Sequence, residues 1–375
     1  MFSMTILFRK TSHHWLLQNA MVYRIFFKED TILTKSIYDK CANEINELIT
    51  LAELTKDKNH IITVFDNPYK IEAPSGMIFP IEIEDVEDGF LCSSVRYTGY
   101  SDYDSFKKDV TNNKFKSPNT EYLVYSTSQI GVDVERRSFV PWLCKEYNLR
   151  ILTCDSYRLS LLMNKAHHFF LLKPLGHIPE TNVYYGQKSL HSTIQSEYVI
   201  LKPALECAAV GVKKIKNNDI QIRDEVFRMR NLYNQNIIIQ EYIDGYEVSV
   251  PVINKGNKYI SLPPVWVTFE GDILTYAAVD DFKYGFKVLP DSSFPYNDVI
   301  PKLLHHAEQI MSFLGTNGLT RVDYRIKNAE EYYVFDIAAL PVLANTGTWM
   351  QSFKYLFDNQ NSLFKAIIGS TLFQH

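Results

Sequence analysis

The chain has 375 residues, more than a single hydrophobic core usually serves, so two or three domains are expected. Hydrophobic residues at 46% and charged residues at 22% are ordinary for a globular protein, and a formal net charge of −4 offers no basic field for a phosphate backbone, which argues against a nucleic-acid binder. No apolar stretch approaches the ~18 residues that a membrane span needs. The opening MFSMTILFRK is too short for a signal-peptide core, and five cysteines without CxxC spacing are expected to be free thiols in a reducing cytoplasm.

In chain order, short strands are predicted at 4–8, 60–65 and 122–126. Helices are predicted at 34–54, where apolar residues recur at helical spacing, and at 139–147. The polar stretch 101–121, punctuated by Asn, Ser and Pro, reads as a surface excursion. A helix over 156–172 is stopped by Lys173-Pro174-Leu175-Gly176. The run YVILK (198–202) reads as a strand broken by Pro203. Strands at 236–242 and 247–253 form a pair across Asp244-Gly245, a hairpin-type turn signal. A helix at 297–314 precedes strands at 318–327 and 331–337, with Asn328-Ala329 as their turn. This mixture predicts α/β and α+β modules, not one doubly wound sheet.

Three segments carry chemistry. In YVILKPALECAAVGVKKI (198–215) a lysine closes a strand and a loop of small residues follows. That arrangement presents a cation and close-approaching N–H groups to phosphate oxygens; alone, it equally describes an edge strand. In NIIIQEYIDGYEVSVPVI (236–253) an apolar strand leads to Gln240, Glu241, Tyr242 and Ile243, with Glu247 on the return. Such a segment can wall an adenine and offer a carboxylate to ribose hydroxyls; alone, it is an ordinary hairpin with an exposed Glu. In GLTRVDYRIKNAEEYYVFDIAALP (318–341), alternation places Arg321, Asp323 and Arg325 on one face, and Tyr332, Val334 and Asp336 on one face of the partner strand. Two carboxylates converging across a hairpin suit Mg²⁺, and Arg321 is placed to meet developing oxyanion charge. A surface hairpin with salt bridges is the plain reading of the same residues.

Taken in order, these segments resemble the ATP-grasp fold and, more closely, the D-alanine–D-alanine ligase branch. The likeness begins at RSFVPWLCKEYNLRILTCDSYRLSLLMNKAHHFFLLKPLGHIPET (137–181), where Asn164-Lys165 stands for the family's Asp-Lys pair. It continues through Lys202-Pro203, Glu206, Cys207-Ala208-Ala209 and Val210-Gly211, then Gln240 to Ile243, Glu247, and Arg321-Val322-Asp323. It covers roughly residues 137–345. The resemblance implies an N-terminal α/β domain (1–155), a central α+β lobe (156–250) and a C-terminal α+β lobe (251–375), with ATP between the last two. It implies ATP and Mg²⁺ as cofactors, carboxylate and amine substrates of amino acid or peptide type, and a homodimer. Lys165 and Lys202 would contact the phosphates, with Glu206 in the same loop among the nucleotide-binding residues; Gln240, Glu241, Tyr242 and Ile243 would serve the adenine, and Glu247 the ribose. Asp323 and Asp336 would bind the metal, and Arg321 would stabilise the tetrahedral intermediate. Lys283, with Lys287 as second choice, would reach the γ-phosphate from the loop 280–293.

The chain also departs from the family. Where Glu-x-Asn is expected, it has Asp336-Ile337-Ala338, so one metal contact is missing. Ala208 and Ala209 replace serines, and Gly347 stands near the place of another. These losses point away from D-alanine, towards a ligase of specialised metabolism, and leave open a degenerate ATP-grasp domain that binds nucleotide or a partner without ligation. The pairs His13-His14, His167-His168 and His305-His306 lack metal spacing, and Trp142, Trp266 and Trp349 read as packing residues.

Overall fold

The computed structural model describes residues 34–65, 80–94, 96–186 and 193–373; the strand expected at 4–8 and His13-His14 lie outside them. The first module contains α1 (34–55), β1 (Asn59–Val64), α2 (Pro80–Leu91), β2 (Arg96–Tyr100), α3 (Tyr103–Thr111), β3 (Glu121–Ser126), α4 (Phe139–Glu146) and β4 (Arg150–Ile151). Its four strands form a parallel sheet of order β2-β1-β3-β4. The central strands are apolar along most of their length because both faces are covered. Ile61 and Leu123 face the core shared with α1 and α2, while Ile62 and Val124 face α3 and α4. Helix α3 corrects the reading of 101–121 as a surface excursion. Phe106 and Val110, one turn apart, are buried, and the Asp102 carboxylate caps the helix by accepting from the Ser105 N–H at 2.7 Å.

The second module contains α5 (Ser156–Met163), α6 (Lys165–Leu172), β5 (Thr181–Tyr184), β6 (Tyr198–Pro203), β7 (Lys213–Lys216), α7 (Asp219–Tyr233) and β8 (Ile237–Glu241). The strands form an antiparallel sheet of order β5-β8-β6-β7. Helix α7 packs Ile222, Val226 and Met229 onto Val199, Leu201, Ile237 and Ile239. The helix expected over 156–172 is broken in two. Asn164 leaves helical geometry at φ −90°, ψ 91°, and the Lys165 N–H donates to the Ala204 carbonyl at 3.0 Å, tying α6 to the end of β6.

The third module contains β9 (Tyr246–Lys255), β10 (Lys258–Ser261), β11 (Val265–Phe269), α8 (Tyr276–Asp280), β12 (Tyr284–Val288), α9 (Ile300–Leu314), β13 (Leu319–Ile326), β14 (Tyr332–Ala338), α10 (Thr348–Leu356) and α11 (Ser362–Phe373). An antiparallel sheet of order β12-β11-β9-β13-β14, with β10 added to β9, packs against α9. Val248, Val250 and Val252 meet Leu303, Ala307 and Ile310 there.

Strands β8 and β9 belong to different sheets, so Asp244-Gly245 is not a hairpin turn. It carries the chain from one sheet to the next, and a Cβ on Gly245 would drive into the Ile326 carbonyl. The expected division at 250 falls inside β9, and we place it at Asp244-Gly245 instead. The first and third modules also share a core. Ile45, Leu48, Phe90 and Leu123 pack with Leu319, Trp349, Phe364 and Ile367. Trp349 is wholly buried and its indole N–H donates to the Thr320 carbonyl at 3.0 Å, whereas Trp142 is 57% exposed and is not a packing residue.

Candidate active site

A cavity of about 360 Å³ opens where the second and third sheets meet. It is built from alternation. On β6 the residues Val199 and Leu201 turn to α7, so Ile200 and Lys202 turn to the cavity. On β9 the valines 248, 250 and 252 pack in the core, while Glu247 and Ser249 occupy the other side. On β13 the residues Val322, Tyr324 and Ile326 are buried in the core, leaving Arg321, Asp323 and Arg325 on the cavity.

The partner strand β14 behaves differently from a simple alternation. Asp336 pairs with Asp323, but Val334 pairs with Tyr324, so Phe335 is the extra residue of a bulge. Tyr332 and Val334 therefore enter the core, and Asp336 faces the cavity. The expectation that these three share a face is corrected by that single inserted residue. The bulge also exposes the Phe335 carbonyl, which accepts from Lys202 Nζ at 2.9 Å.

Of the expected site residues, Lys165, Lys202, Glu206, Gln240, Glu241, Tyr242, Ile243, Glu247, Arg321, Asp323 and Asp336 all line this cavity. Lys283 does not. It lies in the turn between α8 and β12, where its side chain is 72% exposed and its Nζ lies 2.6 Å from Asp281. Lys287, on β12, is also outside, donating to Ser293 Oγ at 2.8 Å.

Four of the cations in the cavity, Lys165, Lys202, Arg321 and Arg325, have partners within the chain. Arg321 grips Asp323 with two bonds of 2.8 Å, and Ser249 Oγ donates to the same carboxylate at 2.7 Å. Burial works against the Arg321 cation, but Asp323 outweighs it and lifts the guanidinium above its ordinary value. Burial likewise favours the neutral form of Asp336, yet Lys165 at 3.0 Å and then Lys202 hold the carboxyl below the usual range. Lys202 also donates to Gln240 Oε1 at 2.9 Å, and Gln240 in turn donates to Thr181 Oγ1 at 2.9 Å. Burial, the largest influence on Lys202, pushes its pKa down to about 7. His168, wholly buried nearby, is pushed down to about 3 by the same cause, while its neighbour His167 is exposed.

Sequence reasoning placed Arg325 on this face without giving it a task. It stands directly across from Glu247 in the β13–β9 register and binds it at 2.9 Å, also donating to the Ile243 and Asp272 carbonyls. Burial raises the Glu247 carboxyl despite that pairing. A cation two residues beyond Asp323 on an otherwise buried strand was the available signal. The loop after β6 holds a second feature that spacing did not show: Ala208 and Ala209 both take left-handed backbone, at φ 51° and 59°. For alanine that costs about 1–2 kcal/mol per residue, and such strain gathers at ligand-holding sites.

Mg²⁺ takes hard oxygen donors and commonly relies on one or two carboxylates plus nucleotide phosphates. Asp323 and Asp336, opposed in register, fit that chemistry, although among the described residues no group of three or more His, Cys, Asp or Glu converges. An ion here would share Asp323 with Arg321 and Asp336 with Lys165.

Known proteins place this arrangement. A family model described as the D-ala D-ala ligase C-terminus matches residues 186–368. The D-alanine–D-alanine ligase of Coprothermobacter proteolyticus is 26% identical over 147 residues, 38% of this chain and 45% of that protein. That of Flavobacterium johnsoniae is 26% identical over 230 residues, 59% of this chain and 68% of that protein. The chain thus matches about half the length of the first of these relatives and about two thirds of the second. Among solved structures, D-alanine–D-alanine ligase of Bacillus anthracis complexed with ATP superposes with a TM-score of 0.63 at 13% identity, covering 84% of this chain and 97% of that one. VanG D-Ala:D-Ser ligase of Enterococcus faecalis gives 0.64 at 14%, covering 84% and 99%. The structural likeness establishes the fold, and with the family match it accounts for the order of the three segments. The chain has the ATP-grasp fold of these structures, and over residues 186–368 it is similar to the D-alanine–D-alanine ligases.

Proposed function

We propose that the chain is an ATP-dependent carboxylate–amine ligase. The observation that carries this reading is the single cavity that gathers Lys165, Lys202, Glu247, Arg321, Asp323 and Asp336 from two sheets. In the proposed reaction a substrate carboxylate oxygen attacks the γ-phosphorus of ATP and ADP leaves. An amine then attacks the acyl carbon, loses a proton, and phosphate departs with the old C–O bond, leaving an amide. Lys202 and Lys165 would supply cations to the phosphate oxygens, and the Arg321 guanidinium would stabilise the oxyanion that develops at the acyl carbon. Glu247, held by Arg325 and by the Leu274 backbone N–H, would accept from the ribose hydroxyls. Asp323 and Asp336 would hold Mg²⁺, which supplies positive charge to the phosphates when bound. Amino acids or small peptides are the proposed substrates.

The test is ADP release with ATP, Mg²⁺ and pooled amino acids, with mass analysis of the products and Lys202→Ala as control. A Lys202-dependent ADP signal with a new condensed mass is expected. A second reading, nucleotide binding without ligation, is favoured by one observation: Ala338 offers no side-chain oxygen and Asp323 has both oxygens engaged. ATP binding without ADP formation from any pool would replace the first reading with the second.

A further inference from the structure

Five cations line the cavity: Arg137, Lys165, Lys202, Arg321 and Arg325. Four have partners inside the chain, as described above. Arg137 is the exception. Among the described residues its side chain makes no hydrogen bond or ion pair, and its Nε is shut off from solvent without an acceptor. Arg137 as a whole is half-buried, but a charged N–H closed to water without an acceptor forfeits its hydration.

The position of Arg137 is fixed by its neighbour. Arg136 is fully buried and donates to Gln129 Oε1 at 2.9 Å, to the Val132 carbonyl at 3.1 Å and to the Leu205 carbonyl at 2.7 Å. The segment before α4 is thereby fastened to the loop that follows Lys202, and Arg137 is held against the cavity from the first module. Burial, followed by the Arg137 charge, lowers the Arg136 guanidinium from its ordinary value.

We propose that Arg137 recognises a substrate carboxylate that survives the reaction, and so selects a substrate carrying one over the corresponding amide. This rests on the ligase reading above. The planar fork of a guanidinium matches a carboxylate through two parallel bonds. Phosphate is the weaker candidate, because the cations suited to phosphate, Lys165 and Lys202, sit on α6 and β6 of the second module. The surviving carboxylate belongs either to the amine-bearing substrate or to a second acidic group on the acyl donor; the same residue serves both, and the assay separates them.

Wild type, Arg137→Gln and Arg137→Lys are compared in ADP release with amino acids and, in turn, with the amide of each acceptor or donor. Wild type is expected to prefer the acids. In Arg137→Gln the KM for the carboxylate-bearing substrate rises on the order of a hundredfold, the KM for ATP stays within about twofold, and the preference for acid over amide disappears. Arg137→Lys restores part of it. An unchanged preference in Arg137→Gln, or a raised KM for ATP in place of the amino acid's, would overturn the proposal. Should wild type release no ADP, the ligase reading fails separately. Calorimetric titration of the same amino acids into protein loaded with a non-hydrolysable ATP analogue then decides. Binding lost in Arg137→Gln sustains the role, whereas equal binding, or none to wild type, ends it.

Discussion

Nucleotide binding should take up a proton, and Lys202 should be the group that receives it. Burial pushes this lysine down to about 7, so at about pH 8 only about one tenth of it is charged. Phosphate oxygens of a bound nucleotide would favour the ammonium form, and filling the site would draw in about 0.9 proton per chain at that pH, and about 0.1 at pH 6. The γ-phosphate is itself fully ionised by about pH 8, since its last proton leaves near pH 6, so the nucleotide contributes little. Calorimetric titration with a non-hydrolysable ATP analogue, repeated in phosphate and Tris buffers, reads the uptake as a difference in heat. Lys202→Met should abolish that difference. The same displacement acts on stability. Between about pH 7 and the ordinary value of 10.5, the unfolded lysine binds a proton that the folded one has released. Folding stability attributable to Lys202 therefore rises with pH through that window, approaching about 1.4 kcal/mol per pH unit, and is flat below it. Heats of binding that do not change with buffer in wild type would refute the assignment of Lys202 to the phosphates.

Two further outcomes follow from contacts within the third sheet. Arg325→Met leaves Glu247 buried without its counter-charge and should cost about 3–5 kcal/mol, read by urea unfolding; adding Glu247→Gln should recover most of it, and failure to recover would show that Arg325 acts elsewhere. Gly245→Ala must push the link between sheets away from the Ile326 carbonyl, at about 1–3 kcal/mol. An unchanged unfolding midpoint would mean that the link yields freely.

Much of the fold was readable wherever apolar periodicity was unbroken. The strands β1, β3, β6, β9, β13 and β14 and the helices α4 and α9 lie within a few residues of their expected bounds. What was missed depends on partners that a single segment does not reveal. Asp244-Gly245 carries the local chemistry of a hairpin, yet which sheet a strand joins is decided by packing far along the chain. Asn164 breaks a helix that its neighbours would continue, because the Lys165 N–H finds the Ala204 carbonyl. The bulge at Phe335 shifts every residue before it to the other face, and no composition signal marks it. The same limit applied to the site. The residues singled out from order and spacing line one cavity, whereas Lys283, in the turn before β12, lies in solvent beside Asp281, a placement that no local pattern marks. That Arg325 belongs to Glu247 emerges from the register of two strands separated by some 78 positions in sequence.

Helix α11 lies against the first module closely enough to constrain how the molecule assembles. Gly369 sits where any side chain would meet the Leu48 backbone, Arg150 binds the Thr371 carbonyl, and Phe364 packs edge-on to Phe90. A growing chain that has already made its parallel sheet still lacks one wall of that sheet's core until residues 362–373 emerge. Until then the apolar faces of α1 and α2 stay uncovered, open to holdase chaperones or to another chain's strand edges. The last helix therefore acts as a latch on the first module, and truncating it should deplete soluble protein during synthesis well before any loss of nucleotide contacts is felt.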